Sequence, residues 1–444
     1  EITQDFPKHQ FAWKVLGAVL SATGKNSEAL DANRTAVSLS FQDAEAQNNL
    51  GNTFIKLERF GEAEASFRQA IALKPNFAEA QYNLGITLQE LGKLKEAEAS
   101  YAQAIVLKPD YSEARSNLGI MLQDLGRLDE AEVIFRQAIA LHDYAETHNN
   151  LGVTLKELGR LEDSEESFRQ AIALKPDFVE AYINLGNAQK EMSRRSEAEE
   201  SYKQAIALKP NYASPFWNLH GIQKSIRDSE YWIDKCLEID ENHLKARLIK
   251  AALRFYQGDK NNFDKLMQSE LNQHPYMRSF SWVFSLPNLP ELYFDKFDFF
   301  DAVVKKSIIS KPFYEFGVWR ASSFKYLIKI FKKGYGFDTF SGLPEDWDVG
   351  SHVEKEGTYT SDGNIPKIEG GEFIVGKFED SLPIFFSESR PIASIINFDA
   401  DLYSSTICAL NCSKSVMDKD TILIFDQFII NQSWEQDEFK ALNE

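Results

Sequence analysis

Cysteine is nearly missing: the 444 residues hold three, Cys236, Cys408 and Cys412. That odd count has neither disulfide nor zinc spacing, and Cys408 and Cys412 share one helix face. They read as small apolar packing residues in a reducing compartment, which predicts a cytoplasmic protein. A basic stripe is missing too. The net charge is −18, which argues against nucleic acid and anionic membrane as partners. No apolar run approaches the ~20 residues of a spanning helix, and no signal peptide is visible. Glu1 opens the sequence and ALNE closes it inside a charged, helix-like stretch, as in a chain cut at one or both ends.

What is present is a period of 34. EAQNNLGNTFIKLERFGEAEASFRQAIALKPNFA is followed by EAQYNLGITLQELGKLKEAEASYAQAIVLKPDYS. Gly51, Gly85, Gly119, Gly152 and Gly186 recur, each after a leucine. Ala63, Ala97, Ala131 and Ala198 mark a second position, with Ser164 in the same slot. Phe67, Tyr101, Phe135, Phe168 and Tyr202 mark a third, and Pro75, Pro109, Pro176 and Pro210 close the unit. Small residues let two antiparallel helices approach, the aromatic fills the gap to the next pair, and proline ends the second helix. The pattern resembles the tetratricopeptide repeat. Frames at 10–43, 44–77, 78–111, 112–144, 145–178 and 179–212 fit. The fourth is one residue short, with LHDYA closing it, so its turn should differ. Two degenerate units at about 213–278 have His220 where the glycine belongs and read as a cap.

An asparagine precedes each of these leucines: Asn49, Asn83, Asn117, Asn150, Asn184 and Asn218. It lies about 200° around the helix from the glycine two places on, so it faces an inner groove. Such a ladder can grip the backbone of an extended polypeptide, and it resembles the one in the repeat region of O-GlcNAc transferases. The plainer reading is that each amide bonds the neighbouring repeat.

After about residue 280 the period vanishes. SLPNLPELYF reads as a junction and DKFDFFDAVVKKSII as a lead-in helix, giving a repeat domain at 1–278, a junction at 279–311 and a second domain at 312–444. Short apolar strands then alternate with helical stretches, as in a parallel sheet covered on both faces. The strands fall at 312–317, 333–340, 371–378, 393–399 and 421–428. Ligands of such sheets sit beyond the carboxyl ends. There stand Glu315 and Gly317, Asp338, Asp399 and Asp426. If the last two strands are neighbours, Asp399 and Asp426 repel unless a cation lies between them. Magnesium is the natural occupant, with structural hydrogen bonding the plainer alternative. Asp401 reads either as the cap of the next helix or as a further metal or substrate contact.

YEFGVWRASS, YGFDTFSGLPEDW, GKFEDSLP, INFDADLYSST and LIFDQF, in that order, resemble the macrocin O-methyltransferase family. The resemblance covers roughly residues 290–444. It implies an all-α tetratricopeptide superhelix followed by an α/β Rossmann-like class I methyltransferase domain. It implies S-adenosylmethionine as donor, Mg2+ as cofactor and a sugar or glycan hydroxyl as acceptor. By the same resemblance Glu315 and Gly317 meet the cofactor, Asp338 its ribose, and Asp399 and Asp426 the metal. The chain departs at Ala321, where the family has glycine and a methyl could crowd the cofactor. It departs again at Gln427, where the family has a second acid and an amide oxygen remains as ligand. The family fold continues for two more strands, which would leave the fifth strand's edge bare, with poor solubility or a borrowed strand as the outcome. His352, in the loop DVGSHVEKEGTYTSDGN, is the domain's one histidine. It reads as a base under a lid or as a loop residue facing solvent. Trp319 and Trp347 read as packing or as stacking on adenine or sugar. Two other functions fit: a protein-directed methyltransferase with the target in the asparagine groove, and a non-catalytic scaffold.

Overall fold

The structure, a computed structural model, describes residues 7–349, 353–361, 363–426 and 433–443. The chain divides into two compact units, 1–192 and 193–444.

The first unit is a run of antiparallel helix pairs. First helices span Gln10–Ala22, Ala44–Lys56, Ala78–Glu90, Ser112–Asp124, Ala145–Glu157 and Val179–Glu191. These starts coincide with the six frames read from the period. Their partners span Asn26–Leu39, Phe60–Leu73, Leu94–Leu107, Leu128–Leu141 and Leu161–Leu174. Three-residue turns join each pair. The middle residue is left-handed, as at Gly92, Gly126 and Gly159, and Glu58 accepts the same conformation at φ 57°. Proline stands two residues beyond the second helix and stops it. The first repeat has Phe41 in that place, and the fourth lacks the proline too: His142 is extended at ψ 125°, and Tyr144 N–H bonds His142 O at 3.1 Å.

Within each pair the glycine receives the aromatic of its own second helix. A Cβ at Gly51, Gly85, Gly119 or Gly152 would stand 2.6–2.7 Å from Phe67, Tyr101, Phe135 or Phe168. All four rings are wholly buried. The aromatic also reaches the next pair, as expected: Phe168 packs with Leu185 and Ala188 of Val179–Glu191.

The second unit begins with helices Arg195–Leu208, Ala213–His220, Ile226–Ile239, Leu244–Tyr256 and Asn261–Met267. The last of these is only seven residues long, in keeping with a degenerate unit. The proline-marked stretch 286–295 carries no helix, and Asp295 then caps helix Lys296–Lys306. Among the described residues five parallel strands follow in the main sheet: β1 (Phe313–Phe316), β2 (Gly334–Asp338), β5 (Gly371–Val375), β6 (Ile395–Phe398) and β7 (Ile422–Phe425). A small antiparallel pair lies between, β3 (Trp347–Asp348) and β4 (Val353–Glu354). The sheet order is β5-β2-β1-β6-β7. Every main strand lies within a span read from the sequence.

Strand side chains alternate between two faces. Tyr314, Phe316, Phe337 and Phe398 pack with helices Phe378–Phe385 and Tyr403–Ser413. Phe313 and Ile395 pack with Lys296–Lys306 and Ser322–Phe331. Glu315 shares the face of Phe313, which turns it toward the helix that starts at Lys296. Beyond β7, Trp434 and Phe439 pack on Trp282 of helix Pro275–Ser285. No described helix is long and apolar enough to cross a membrane.

Candidate functional site

β1 lies at the centre, and the connections leave it in opposite directions, so a crevice opens between the ends of β1 and β6. Gly317 sits at its mouth with φ 87°. A Cβ there would stand 1.7 Å from the Asp399 carbonyl oxygen. No other residue fits, because the backbone leaving β1 runs directly against the backbone leaving β6.

Glu315 is 1% exposed and pairs in register with Asn397. Burial pushes its carboxyl up to about 8, and Oε2 has no hydrogen-bond partner among the described residues.

Asp338 has a structural occupation that the sequence did not reveal. Its Oδ2 accepts from Val318 N–H at 2.8 Å and Trp319 N–H at 2.7 Å, and its Oδ1 from Phe340 N–H at 2.7 Å. The carboxylate folds the β1 loop against the β2 loop. A ribose hydroxyl would share it with three N–H groups.

Asp399 and Asp426 follow adjacent strands, one residue beyond the pair Phe398–Phe425. The positive group between them is a side chain of this protein. Lys296 Nζ stands 3.2 Å from Asp426 Oδ1 and 4.0 Å from Asp399 Oδ2. Burial alone would lower the ammonium's pKa, but the attraction of Asp426 and Asp399 outweighs it and holds it above its ordinary value. Burial and then Asp426 drive the Asp399 carboxyl well up. A magnesium ion keeps several waters and is held by one or two carboxylates, so its place would be the seat between these acids that Nζ takes. Among the described residues no group of three or more His, Cys, Asp or Glu side chains is placed to hold a metal. With the Lys296 ammonium between the two acids, the described residues do not fit the expected ion.

Asp401 does not cap the following helix. The N-cap of Tyr403–Ser413 is Leu402, without a side-chain bond. Asp401 is left-handed at φ 58°. Burial, then Asp426, push its carboxyl up to about 7, and Oδ1 is unpartnered among the described residues. His352 and Gln427 lie outside the described residues.

The polar loop is tied down where it is described. Leu343 N–H bonds Thr358 O at 2.8 Å, and Gly357 N–H bonds Leu343 O at 3.0 Å. Trp319 is 38% exposed, lies under the Arg320 guanidinium at 4.2 Å and donates to Thr360 O. Trp347 is buried with Leu343 and Leu402 and serves packing. A cleft of about 390 Å³ opens at the ends of β2 and β5, lined by Thr339, Ser341, Glu356, Gly376 and Lys377 among others. Ala321 departs from the expected glycine at a left-handed position, φ 61°. Its methyl is fully buried in the apolar cluster of Val318 and Phe324, so it does not reach a ligand. It costs the backbone about 1 kcal/mol instead.

Three of the six asparagines serve the stack. Asn83 Nδ2 donates to Asn48 Oδ1 at 3.1 Å, Asn117 Nδ2 to Tyr82 Oη at 3.0 Å and Asn184 Nδ2 to Asn149 Oδ1 at 3.0 Å. Each bond joins a repeat to the one before it. Asn83 is buried, while Asn49, Asn117, Asn150 and Asn184 are half-buried. Asn218, in the second unit, is half-buried on helix Ala213–His220.

The family model of the Cilia and flagella-associated protein 70 C-terminal domain matches residues 8–214. Together with the helix pairs, this makes the region a tetratricopeptide-type repeat domain. Among solved structures, the APC/C hetero-tetramer Cut9-Hcn1 is 18% identical with a TM-score of 0.44, over 57% of this chain. This chain thus spans 50% of that one. YrrB, a repeat protein described as having an unusual peptide-binding site, is 22% identical over 42% of this chain and 96% of its own, TM-score 0.37. The C-terminal part of a repeat protein from Cytophaga hutchinsonii is 14% identical over 52% of this chain and 97% of its own, TM-score 0.45. Comparison with curated proteins finds no match.

Proposed function

We propose that this chain is an interaction scaffold whose helical repeats take an extended polypeptide along their first helices. The observation that carries this reading is the recurrent, half-buried amide at Asn49, Asn117, Asn150 and Asn184. Bonds to the preceding repeat fix Asn117 and Asn184, so the edge each offers is preorganised and little entropy is lost on binding. Amides address a peptide backbone whatever its side chains, which suits a partner held in extended form. A displayed library of random peptides tests it on the full chain. Wild type should enrich binders, and Ala at Asn117, Asn150 and Asn184 together should lose them with helicity unchanged. Equal enrichment by both proteins would refute the groove.

A second reading concerns the sheet: an O-methyltransferase acting on a sugar or glycan hydroxyl, or on the docked polypeptide. Its support is the parallel order β5-β2-β1-β6-β7 with the obligatory Gly317 at the crevice. The bare loop at Gly317 and the orphaned Glu315 Oε2 fit a polar cationic group such as S-adenosylmethionine. That cofactor, when bound, supplies the methyl group. The chain's own part is alignment: the Asp338 carboxylate holds the β1 loop. Calorimetry of the full chain with S-adenosylmethionine decides. Micromolar binding supports an enzyme, and no heat at saturating ligand leaves the scaffold alone.

A further inference from the structure

The acids at the ends of β6 and β7 face one cation, and the protein supplies it. We infer that Lys296 is a built-in counterion that occupies the seat between Asp399 and Asp426, so that this crevice keeps its shape without a divalent metal. The inference does not depend on the methyl-transfer reading.

Three observations support it. First, the ammonium is placed by rigid structure. Lys296 is the first residue of its helix, and Asp295 caps that helix by accepting from Phe297 and Asp298 N–H at 2.9 and 3.3 Å. Phe300 and Val303 of the same helix lie buried in the core beneath the sheet. Second, the spacing is that of an ion pair to one acid and a near contact to the other, 3.2 and 4.0 Å. A divalent ion in that seat would have to expel Nζ, since two cations at such separation repel strongly. Third, Glu315 is buried on the side facing the lysine helix and adds to the attraction that keeps the ammonium charged.

A tethered ammonium also competes well. Its effective concentration over the seat is millimolar or higher, of order mM for short tethers. A free ion must match that while stripping its own water. The arrangement thus converts a metal-dependent pair of acids into a metal-indifferent one. The sequence held the clue: DKFDFF places a lone lysine among acids and aromatics at the start of the lead-in helix.

Manganese serves as the probe, read by electron paramagnetic resonance and calorimetry on the full chain. Wild type should show no saturable Mn2+ site below about 1 mM. Lys296→Met should open the seat and bind Mn2+ roughly tenfold or more tightly, and adding Asp399→Asn should abolish the gain. Saturable micromolar binding by wild type that Asp399→Asn removes would overturn the inference. So would a folded Lys296→Met chain that binds no better than wild type. Should Lys296→Met fail to fold, neutralising the acids as well, with Asp399→Asn and Asp426→Asn, should restore folding. Failure of that rescue also overturns it.

Discussion

A methyl group at Gly85 would stand 2.7 Å from the Tyr101 ring, and the ring is wholly buried, with no room to withdraw. Gly85→Ala should therefore cost ~1–3 kcal/mol through overpacking. Gly61 is a control, because a Cβ there meets nothing within 4 Å. Gly61→Ala should stay within ~0.5 kcal/mol of wild type. Urea midpoints of the two variants check this, and equal midpoints would mean the ring is not seated on the glycine. The sequence displayed both residues and paired the aromatic with the next repeat, which holds for Phe168 against Leu185 and Ala188, but it missed the seat on the aromatic's own glycine. A period of 34 repeats contacts within a pair and contacts between pairs at the same interval, so recurrence alone cannot tell them apart. A second feature escaped notice for a similar reason. Lys74, Lys108 and Lys175 lie over the rings of Phe77, Tyr111 and Phe178 at 4.7, 4.3 and 4.7 Å. The motif KPxF or KPxY was visible, yet it read only as a proline stop.

The loops at strand ends behave as elements in their own right. The loop leaving β1 has its Val318 and Trp319 N–H groups directed at the Asp338 carboxylate. Charge-assisted bonds of this kind contribute about 1.5–3 kcal/mol each. Asp338→Ala should speed amide exchange at residues 318–319 and 340 and lower the melting temperature, both in protein without ligand. If Asp338 acted only on a bound ribose, the ligand-free protein would be unmoved, so hydrogen exchange separates the two roles. All five main strands were legible because short apolar runs between helical stretches leave little alternative. The companions of their terminal acids were not. Asp338 and Asp426 were each assigned an external partner, a ribose and a metal, whereas main-chain N–H groups and Lys296 already meet them. Side chains from distant segments fill a crevice only after the chain has folded, and no spacing in the sequence records it.

The whole molecule carries its perturbed acids unevenly, and pH can therefore separate its two units. In the first unit Asp43 is pushed up by burial, but the Ala46 N–H, Gln10 and Lys14 overcome this and hold it below its ordinary 3.8. Its contribution is complete above that value and is lost only as pH falls through its folded pKa, so it is constant from pH 5 to 8. In the second unit burial raises Glu315 from 4.5 to about 8 and Asp401 from 3.8 to about 7, and Asp399 moves the same way. The folded form binds the proton more tightly there, so stability is greatest below the ordinary carboxylate range and falls as pH climbs through these windows. Each group can contribute up to about 1.4 kcal/mol per pH unit. His274, lowered by burial and Lys245, opposes this only below its ordinary 6.5. Trp13 alone belongs to the first unit, while Trp217, Trp232, Trp282, Trp319, Trp347 and Trp434 belong to the second. Tryptophan emission thus follows the second unit. Its melting midpoint should fall from pH 5 to pH 8, and Glu315→Gln should flatten that slope, while amide protection factors in helices 44–191, corrected for the intrinsic base catalysis of exchange, hold steady. A midpoint indifferent to pH, or a slope the Gln variant leaves intact, would show that the acids around the crevice are not the strained groups their burial makes them.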